Sequence, residues 1–393
     1  MTSPPLRVGI AGVGTLSLRA VLPHLTQSDV ADRLTVAAVC DRDEARAAAA
    51  AASFGVPAAF ADLDEMLASA DLDVVTLVTP IGLHAEHGRK VLESGAHLHV
   101  NKTLSTTVAE ADELIALARQ RDLRIVASPG EVLRPQVRAI RALLEDGAIG
   151  RLAWGICGCA FGDYHEEEPE RHDAPGGTTI DPSWYFRKPG GGPMYDMTVY
   201  ALHQLTAILG PARAVTALSG QVLPVRRFAG RDVAVDADDN TVLLLDFGDG
   251  RIVVAYGTAS AEMLPGDFGA TSFFGTTGTL TGLRLNGVEI DYDRKERTIG
   301  ASSEDWEGQM RVLDHVSGPH LEIPESHVFE DIMQLVRWVR DGVPSEATAE
   351  HARHVVDIIE SGYRAAETGR TQQLATTFDL VTLSRADRRG DQS

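Results

Sequence analysis

Four side chains have the types and spacing to take a proton from a hydroxyl while its carbon gives up a hydride. Lys102 stands in LHVNKTLSTT, residues 98–107, where a short apolar run ends in an ammonium. Asp196, Tyr200 and His203 follow in GGGPMYDMTVYALHQLTAILG, residues 190–210. A helix beginning near Pro193 would put these three at i, i+4 and i+7, on one face. Burying that face is costly unless it meets a ligand. Oxidising a secondary alcohol needs a group that removes the hydroxyl proton and one that stabilises an alkoxide-like oxygen. Lys102 supplies positive charge, or serves as the base if burial lowers its pKa. Asp196 holds a substrate hydroxyl or orients Lys102. Tyr200 is expected to relay the proton, its phenol depressed by a cation such as Lys102. His203, which titrates nearest neutrality, is the competing relay. The bland alternative is an amphipathic helix with a capping Asp and a packed Tyr, beside a surface lysine.

Alternating strands and helices must position Lys102. The apolar run Leu6 to Ala11 leads into Gly12-Val13-Gly14-Thr15-Leu16-Ser17, a G-x-G-x-x-S dinucleotide fingerprint. Gly12 makes the tight turn, and Gly14 lets the backbone approach a pyrophosphate. A helix from Leu16 then offers free amides to the phosphates. A second strand, Leu34 to Val39, ends in Cys40-Asp41-Arg42. Asp41 suits a ribose diol and repels a 2′-phosphate, so NAD is expected and NADP less so; Arg42 could stack on adenine or tolerate NADP. Helices are expected over Glu44 to Phe54, Leu63 to Ser69 and Val108 to Arg121. The β-branched strand Leu72 to Val78 ends at Thr79-Pro80, with His84 close behind, and a last strand spans Arg124 to Ala127. That alternation predicts a doubly wound parallel sheet, whose ligands bind beyond the carboxyl ends of strands. Asn101 and Lys102 lie at such an end.

The run GIAGVG…CDRD…DVVTLVTPIGLHAEH…HLHVNKT resembles the glucose–fructose oxidoreductase / inositol dehydrogenase superfamily (Gfo/Idh/MocA), along nearly the whole chain. Arg134-Pro135 to Gly150 looks like that family's first carboxy-terminal-domain helix, and residues 190–210 are similar to its most characteristic segment. IIESGYRAAETGR, residues 358–370, is similar to its terminal helix. The resemblance implies a Rossmann domain, here 1–128, and then an α/β domain, 129–383, with a large open mostly antiparallel sheet. Such sheets commonly make oligomer contacts, so a dimer or tetramer is expected. It also implies a Glu-Lys-Pro motif whose lysine binds substrate beside the nicotinamide. Here the motif reads Asn101-Lys102-Thr103, keeping the lysine alone. Asp196 matches the family pattern directly. Tyr200 replaces its usual histidine, and His203 an aspartate.

In the second half, Pro182-Ser183-Trp184-Tyr185-Phe186-Arg187 offers aromatic faces and a cation, and Trp184 and Arg187 are candidate sugar contacts. The cluster Asp163, His165, Glu166, His172 fits no metal motif and reads as a solvated loop. Cys157 and Cys159, two apart on a strand, read as packing residues; no metal is expected. Ala214 to Ser219, Thr241 to Phe247, Arg251 to Thr258, Ala270 to Gly275 and Thr279 to Leu283 read as one antiparallel sheet. Amphipathic helices are expected over His327 to Arg340 and Thr348 to Thr368, with a disordered tail at 384–393.

A net charge of -20 with no basic face speaks against nucleic acid and weakly against anionic membranes. Three cysteines exclude a disulfide scaffold, and with no apolar run of spanning length the expected setting is the cytoplasm. The residues therefore predict an NAD(P)-dependent dehydrogenase or reductase acting on a ring hydroxyl or ketone of a sugar, glycoside or cyclitol. The alternative is a catalytically inactive dinucleotide-sensing regulator, which would have no use for the Lys102 cation. A lyase using bound NAD transiently would share every residue named.

Overall fold

In the computed structural model the described residues are 4–162, 173–174, 178–228, 230–261, 269–292 and 313–380. The cluster at 163, 165, 166 and 172 and the tail at 384–393 lie outside them.

Strands β1 (Leu6–Ala11), β2 (Leu34–Cys40), β3 (Ala59–Phe60), β4 (Val74–Leu77), β5 (His97–Val100) and β6 (Ile125–Ala127) form one parallel sheet ordered β3-β2-β1-β4-β5-β6. Chain order reverses direction at β1 and β4, the switch point where such sheets open a ligand crevice. β4 is buried throughout, as the uninterrupted β-branched run requires. Local chemistry fixes the helix ends. Asp43 caps Glu44–Phe54 by accepting from the Arg46 N–H, and Gly55 closes it at φ 68°. Thr107 and Glu110 form a reciprocal capping box on Val108–Gln120.

The second sheet has nine strands among the described residues. In spatial order they are Val288–Glu289, Arg284–Leu285, Thr279–Thr281, Ser272–Gly275, Leu152–Ala160, Ile252–Thr258, Asn240–Asp246, Ala214–Gly220 and Gln372–Gln373. One pairing, Leu152–Ala160 with Ile252–Thr258, is parallel and the rest are antiparallel. The sheet is thus mostly antiparallel, as expected, rather than wholly so. Helix Val199–Leu209 lies on one face, where Leu243, Leu245, Val253, Ala255 and Phe273 are buried with it. The opposite face stays open. Leu218, Val242 and Tyr256 stand in register across it, as do Ile252, Trp154 and Phe274. Leu218 is 80% exposed, Leu244 48% and Trp154 46%.

Helices Ser326–Asp341 and Ala349–Thr368 return to the first sheet. Asp331 accepts from the Ser128 hydroxyl at 2.6 Å, Glu360 from the Val108 N–H at 2.7 Å, and Ala352 and Val356 join the core around Leu98 and Leu114. Among the described residues no helix is long and apolar enough to cross a membrane.

Candidate active site

The dinucleotide crevice is built where β1, β2 and β4 end. Gly12 sits at φ 96°, and a Cβ there would lie 2.5 Å from the Val78 carbonyl oxygen, so only glycine fits. At Gly14 a Cβ would meet nothing within 4 Å, leaving the backbone open to an approaching group. Ser17 is buried and donates from its hydroxyl to the Gly12 carbonyl at 2.5 Å, replacing a third glycine with a turn-locking bond. The helix runs over residues 15–25, as expected from Leu16 onward, and carries a wide π-type turn at Ser17–Val21.

Asp41 is drawn into this turn. Its Oδ2 accepts from the Val13 N–H at 2.8 Å, and its Oδ1 from the Asp43 N–H at 3.0 Å and from Arg46 at 2.6 Å. A carboxylate offers about four acceptor positions, so three protein donors leave room for one ribose hydroxyl rather than a diol. Arg46, buried on the following helix, was not singled out in the sequence. It neutralises much of the charge on which the NAD preference was argued. Arg42 is exposed.

Lys102 follows β5 and reaches across to the second unit. Its Nζ donates to Asp196 Oδ1 and to the Asp196 carbonyl, both at 2.7 Å, leaving one of three N–H donors for a ligand oxygen. The two side chains are 13% and 3% exposed, so this is a largely desolvated ion pair. The surface-lysine alternative is overturned. The Lys102–Thr103 peptide is cis. Asn101 is 7% exposed, and its Oδ1 is buried without a hydrogen-bond partner, an acceptor that suits a carboxamide N–H. With the bare backbone at Gly14, it makes the crevice fit a nicotinamide dinucleotide.

Thr79 and Pro80 lie half-buried at the end of β4, at the expected rim. His84 does something else. It is buried, its Nδ1 lies 2.7 Å from the Thr103 carbonyl and its Nε2 2.8 Å from that of Thr79, so it struts the two rim loops instead of facing a ligand. Burial first, against the help of those carbonyls, lowers its pKa to about 4.

The helix after Gly192 corrects the expected geometry. It opens with a π-type turn, Met194–Thr198, before the α-helix Val199–Leu209. The widened turn changes the phase of the residues after it, so the i, i+4, i+7 count no longer puts Asp196, Tyr200 and His203 on one face. Lys102 Nζ sits 5.1 Å over the Tyr200 ring, but His203 swings away from it and packs against His351, ring centroids 4.8 Å apart. His203 is 3% exposed, and burial, then His354, lowers its pKa to about 3. It is a neutral core residue and no relay. Tyr200 is not depressed by Lys102 either. Burial, then the Asp196 carboxylate, raises its phenol well above 10. Its hydroxyl lies 3.0 Å from His327 Nε2, a partner that sequence reasoning assigned to an ordinary amphipathic helix.

Beside Asp196 lies a shallow cleft, partly open to solvent, lined by Phe161, Tyr185, Phe186, Met197, Arg226 and Asp238 among others. The aromatic stretch does reach it, though through other members than expected. In the tight turn Ser183–Phe186, Tyr185 and Phe186 face the cleft, Trp184 stacks on Tyr185 at 3.7 Å and packs into the core, and Arg187 is exposed. Arg226 comes from a hairpin, Val225–Phe228 with Arg231–Ala234, that the sequence reading did not resolve. It is buried and lies 3.7 Å from Asp239. Cys157 and Cys159 are buried packing residues, and burial pushes the Cys159 thiol up to about 12. Among the described residues no group of three His, Cys, Asp or Glu could hold a metal.

The family model described as oxidoreductase family, NAD-binding Rossmann fold (GFO/IDH/MocA) matches residues 6–128, and the GFO/IDH/MocA C-terminal domain matches 137–281. A dTDP-3,4-didehydro-2,6-dideoxy-alpha-D-glucose 3-reductase of Streptomyces antibioticus is 30% identical, over 92% of this chain and 97% of its own. A D-glucoside 3-dehydrogenase of Escherichia coli K12 is 24% identical over 86% and 95%. Among solved structures, GenD2 from gentamicin A biosynthesis, in complex with NAD, superposes with a TM-score of 0.70 at 24% identity, covering 96% of this chain and 98% of that one.

Proposed function

This chain belongs to the Gfo/Idh/MocA family of oxidoreductases, and from that premise we propose that it transfers a hydride between a nicotinamide cofactor and a ring hydroxyl or ketone of a sugar, glycoside or cyclitol. The observation that carries this reading is the Lys102–Asp196 pair, buried at the junction of the dinucleotide crevice and the apolar cleft. A bound nicotinamide would supply the hydride acceptor or donor. The remaining Lys102 N–H stabilises negative charge on the reacting oxygen, and Asp196 holds the ammonium in place. Tyr200, its ring 5.1 Å from Lys102 Nζ and its hydroxyl on His327, would serve as the proton donor or acceptor for the same oxygen. Phe161, Tyr185, Phe186 and Met197 cover an apolar sugar face, while Asp196 and Asp238 accept from its hydroxyls. Both relatives named above act on sugar rings at position 3, which favours a ring carbon over an anomeric one.

NAD is the expected cofactor because Asp41 still carries a carboxylate at the ribose. Arg46 makes the discrimination against NADP modest. The open apolar sheet face supports a homo-oligomer, dimer or tetramer, because patches of this kind are rarely left to water. The cytoplasm fits three thiols that form no disulfide.

The test is a panel of polyols, glycosides and sugar nucleotides, with the corresponding keto sugars, followed by reduced-nicotinamide absorbance in both directions. Absence of turnover on every ring substrate, with NAD bound, would refute the proposal.

A further inference from the structure

After Asp196, Tyr200 is the next acid along this helix, its ring 5.1 Å from Lys102 Nζ, yet burial keeps it from ionising. A phenol that cannot become phenolate can still pass a proton if it gives one up as it takes one. The structure supplies the recipient. His327, in the first turn of helix Ser326–Asp341, is 3% exposed and places Nε2 3.0 Å from the Tyr200 hydroxyl. Its other nitrogen, Nδ1, lies 3.7 Å from Glu325 Oε2, and Glu325 is 16% exposed and also paired with Arg19. At 3.7 Å, beyond a direct hydrogen bond, the Glu325 carboxylate favours the proton on Nδ1 electrostatically, leaving the Nε2 lone pair to accept from the phenol. Burial, then Arg134, Lys102, Arg19 and His24, keeps the ring neutral at rest.

We propose that His327 is the positioning and relay residue of this site: it orients the Tyr200 hydroxyl, receives the reaction's proton from it, and hands that proton to solvent through Glu325. This rests on the oxidoreductase reading above. In the oxidising direction the substrate O–H bond breaks and its proton bonds to the Tyr200 oxygen. The Tyr200 O–H bond breaks at the same time, and its proton bonds to His327 Nε2. A bound nicotinamide would take up the substrate C–H electron pair as hydride, while the oxygen pair closes the carbonyl. The imidazolium then gives its Nδ1 proton to water by way of the Glu325 carboxylate, and proton exchange with solvent returns the ring to its Nδ1–H tautomer before the next turnover. Reduction runs the same transfers backwards. The histidine missing from the helix position of Tyr200 is thereby supplied from a different helix.

Two measurements test this. The first uses the resting protein and no turnover: nitrogen NMR of the His327 ring should show the Nδ1–H tautomer, with the Nε2 resonance moving in Tyr200→Phe. An Nε2–H tautomer overturns the proposal, whether or not a substrate has been found. The second compares variants on the best substrate from the panel. His327→Gln retains a hydrogen-bonding group near Nε2 but cannot pass a proton. It should lower kcat by about 100-fold with KM changed less than about threefold, and raise the solvent deuterium isotope effect. The double variant with Tyr200→Phe should be no slower than Tyr200→Phe alone, because the two act in series. Glu325→Gln, at the exposed end, should raise the isotope effect with a smaller loss. Wild-type kcat in His327→Gln, or additive losses in the double variant, overturns the relay. A wild-type enzyme inactive on every substrate refutes the oxidoreductase reading instead, and leaves the tautomer result standing.

Discussion

Replacing Lys102 by Met separates what the ammonium does for the reaction from what it does for the fold. The methionine keeps the length of the side chain and removes two bonds of 2.7 Å to Asp196. Asp196 is then a carboxylate 3% exposed that has lost its nearest cation. Removing one partner from a buried pair costs about 3–5 kcal/mol, because the other charge stays desolvated. At roughly 1.2 °C per kcal/mol for a chain this large, Tm should fall by about 4–6 °C. Turnover should fall by at least ~100-fold, the scale of losing one electrostatic contact to the reacting oxygen. NAD affinity should stay within about threefold, since the Gly12–Ser17 turn and Asp41 are untouched. The second variant, Lys102→Met with Asp196→Asn, removes the stranded charge. It should recover most of the lost Tm while remaining inactive, a coupling readable as a double-mutant cycle. Scanning calorimetry, NAD titration and a steady-state assay measure the three quantities. A Lys102→Met enzyme with near wild-type turnover would refute the catalytic role. A Tm unchanged in the single variant would refute the buried-pair reasoning.

Arg46→Ala should weaken NADP binding by about tenfold relative to NAD, since it frees the Asp41 charge against a 2′-phosphate, and Asp41→Ala should narrow the gap; calorimetric titration of both dinucleotides decides, and tighter NADP binding in Arg46→Ala would reverse the assignment. Tyr200→Phe should damage kcat more than KM, and with the phenol held well above 10 no pH–rate limb should be traceable to its ionisation. Burial raises the Asp331 carboxyl from 3.8 to about 7. The folded state therefore binds more protons than the unfolded one between those values, and stability contributed by this group falls as pH rises through the window. Asp331→Asn should flatten the denaturant-measured stability difference between pH 4 and 7; an unchanged slope would count against it. Leu218→Asp with Leu244→Asp on the open sheet face should shift the assembly to monomer in light scattering, and an unchanged mass would place the interface elsewhere.

The first domain was legible because its signals are local. Glu44–Phe54 and Leu63–Ser69 were read to the residue: each has an aspartate cap immediately before it, and the first ends at a glycine in the left-handed region. The Lys102–Asp196 pairing followed from two positions fixed independently. His203 was misplaced for a single physical reason. A uniform helical count assumes 3.6 residues per turn, and the widened turn at Met194–Thr198 breaks it. Nothing in the residue types of MYDMT announces such a turn. Arg46 could have been found, since it stands three residues into a helix whose cap follows Asp41. His327 could not, because its meeting with Tyr200 spans 127 positions.

The return of the last two helices to the first sheet also has a bearing on how the chain is made. Ala349, Ala352 and Val356 complete a core whose other walls, Leu98, Leu114 and Ile125 among them, emerge from the ribosome far earlier. At roughly 5–20 residues per second, the stretch of about 220 residues from Ser128 to Ala349 takes on the order of 10–40 seconds to synthesise. For that interval the dinucleotide unit is without the helix that packs against Val108–Gln120, and the Ser128 hydroxyl lacks Asp331. A nascent chain arrested before residue 326 should expose that groove to proteases, and the full chain extended by a linker that clears the ribosome should not. Helices Ser326–Asp341 and Ala349–Thr368 thus act as the late fastener of a domain whose sheet is made first.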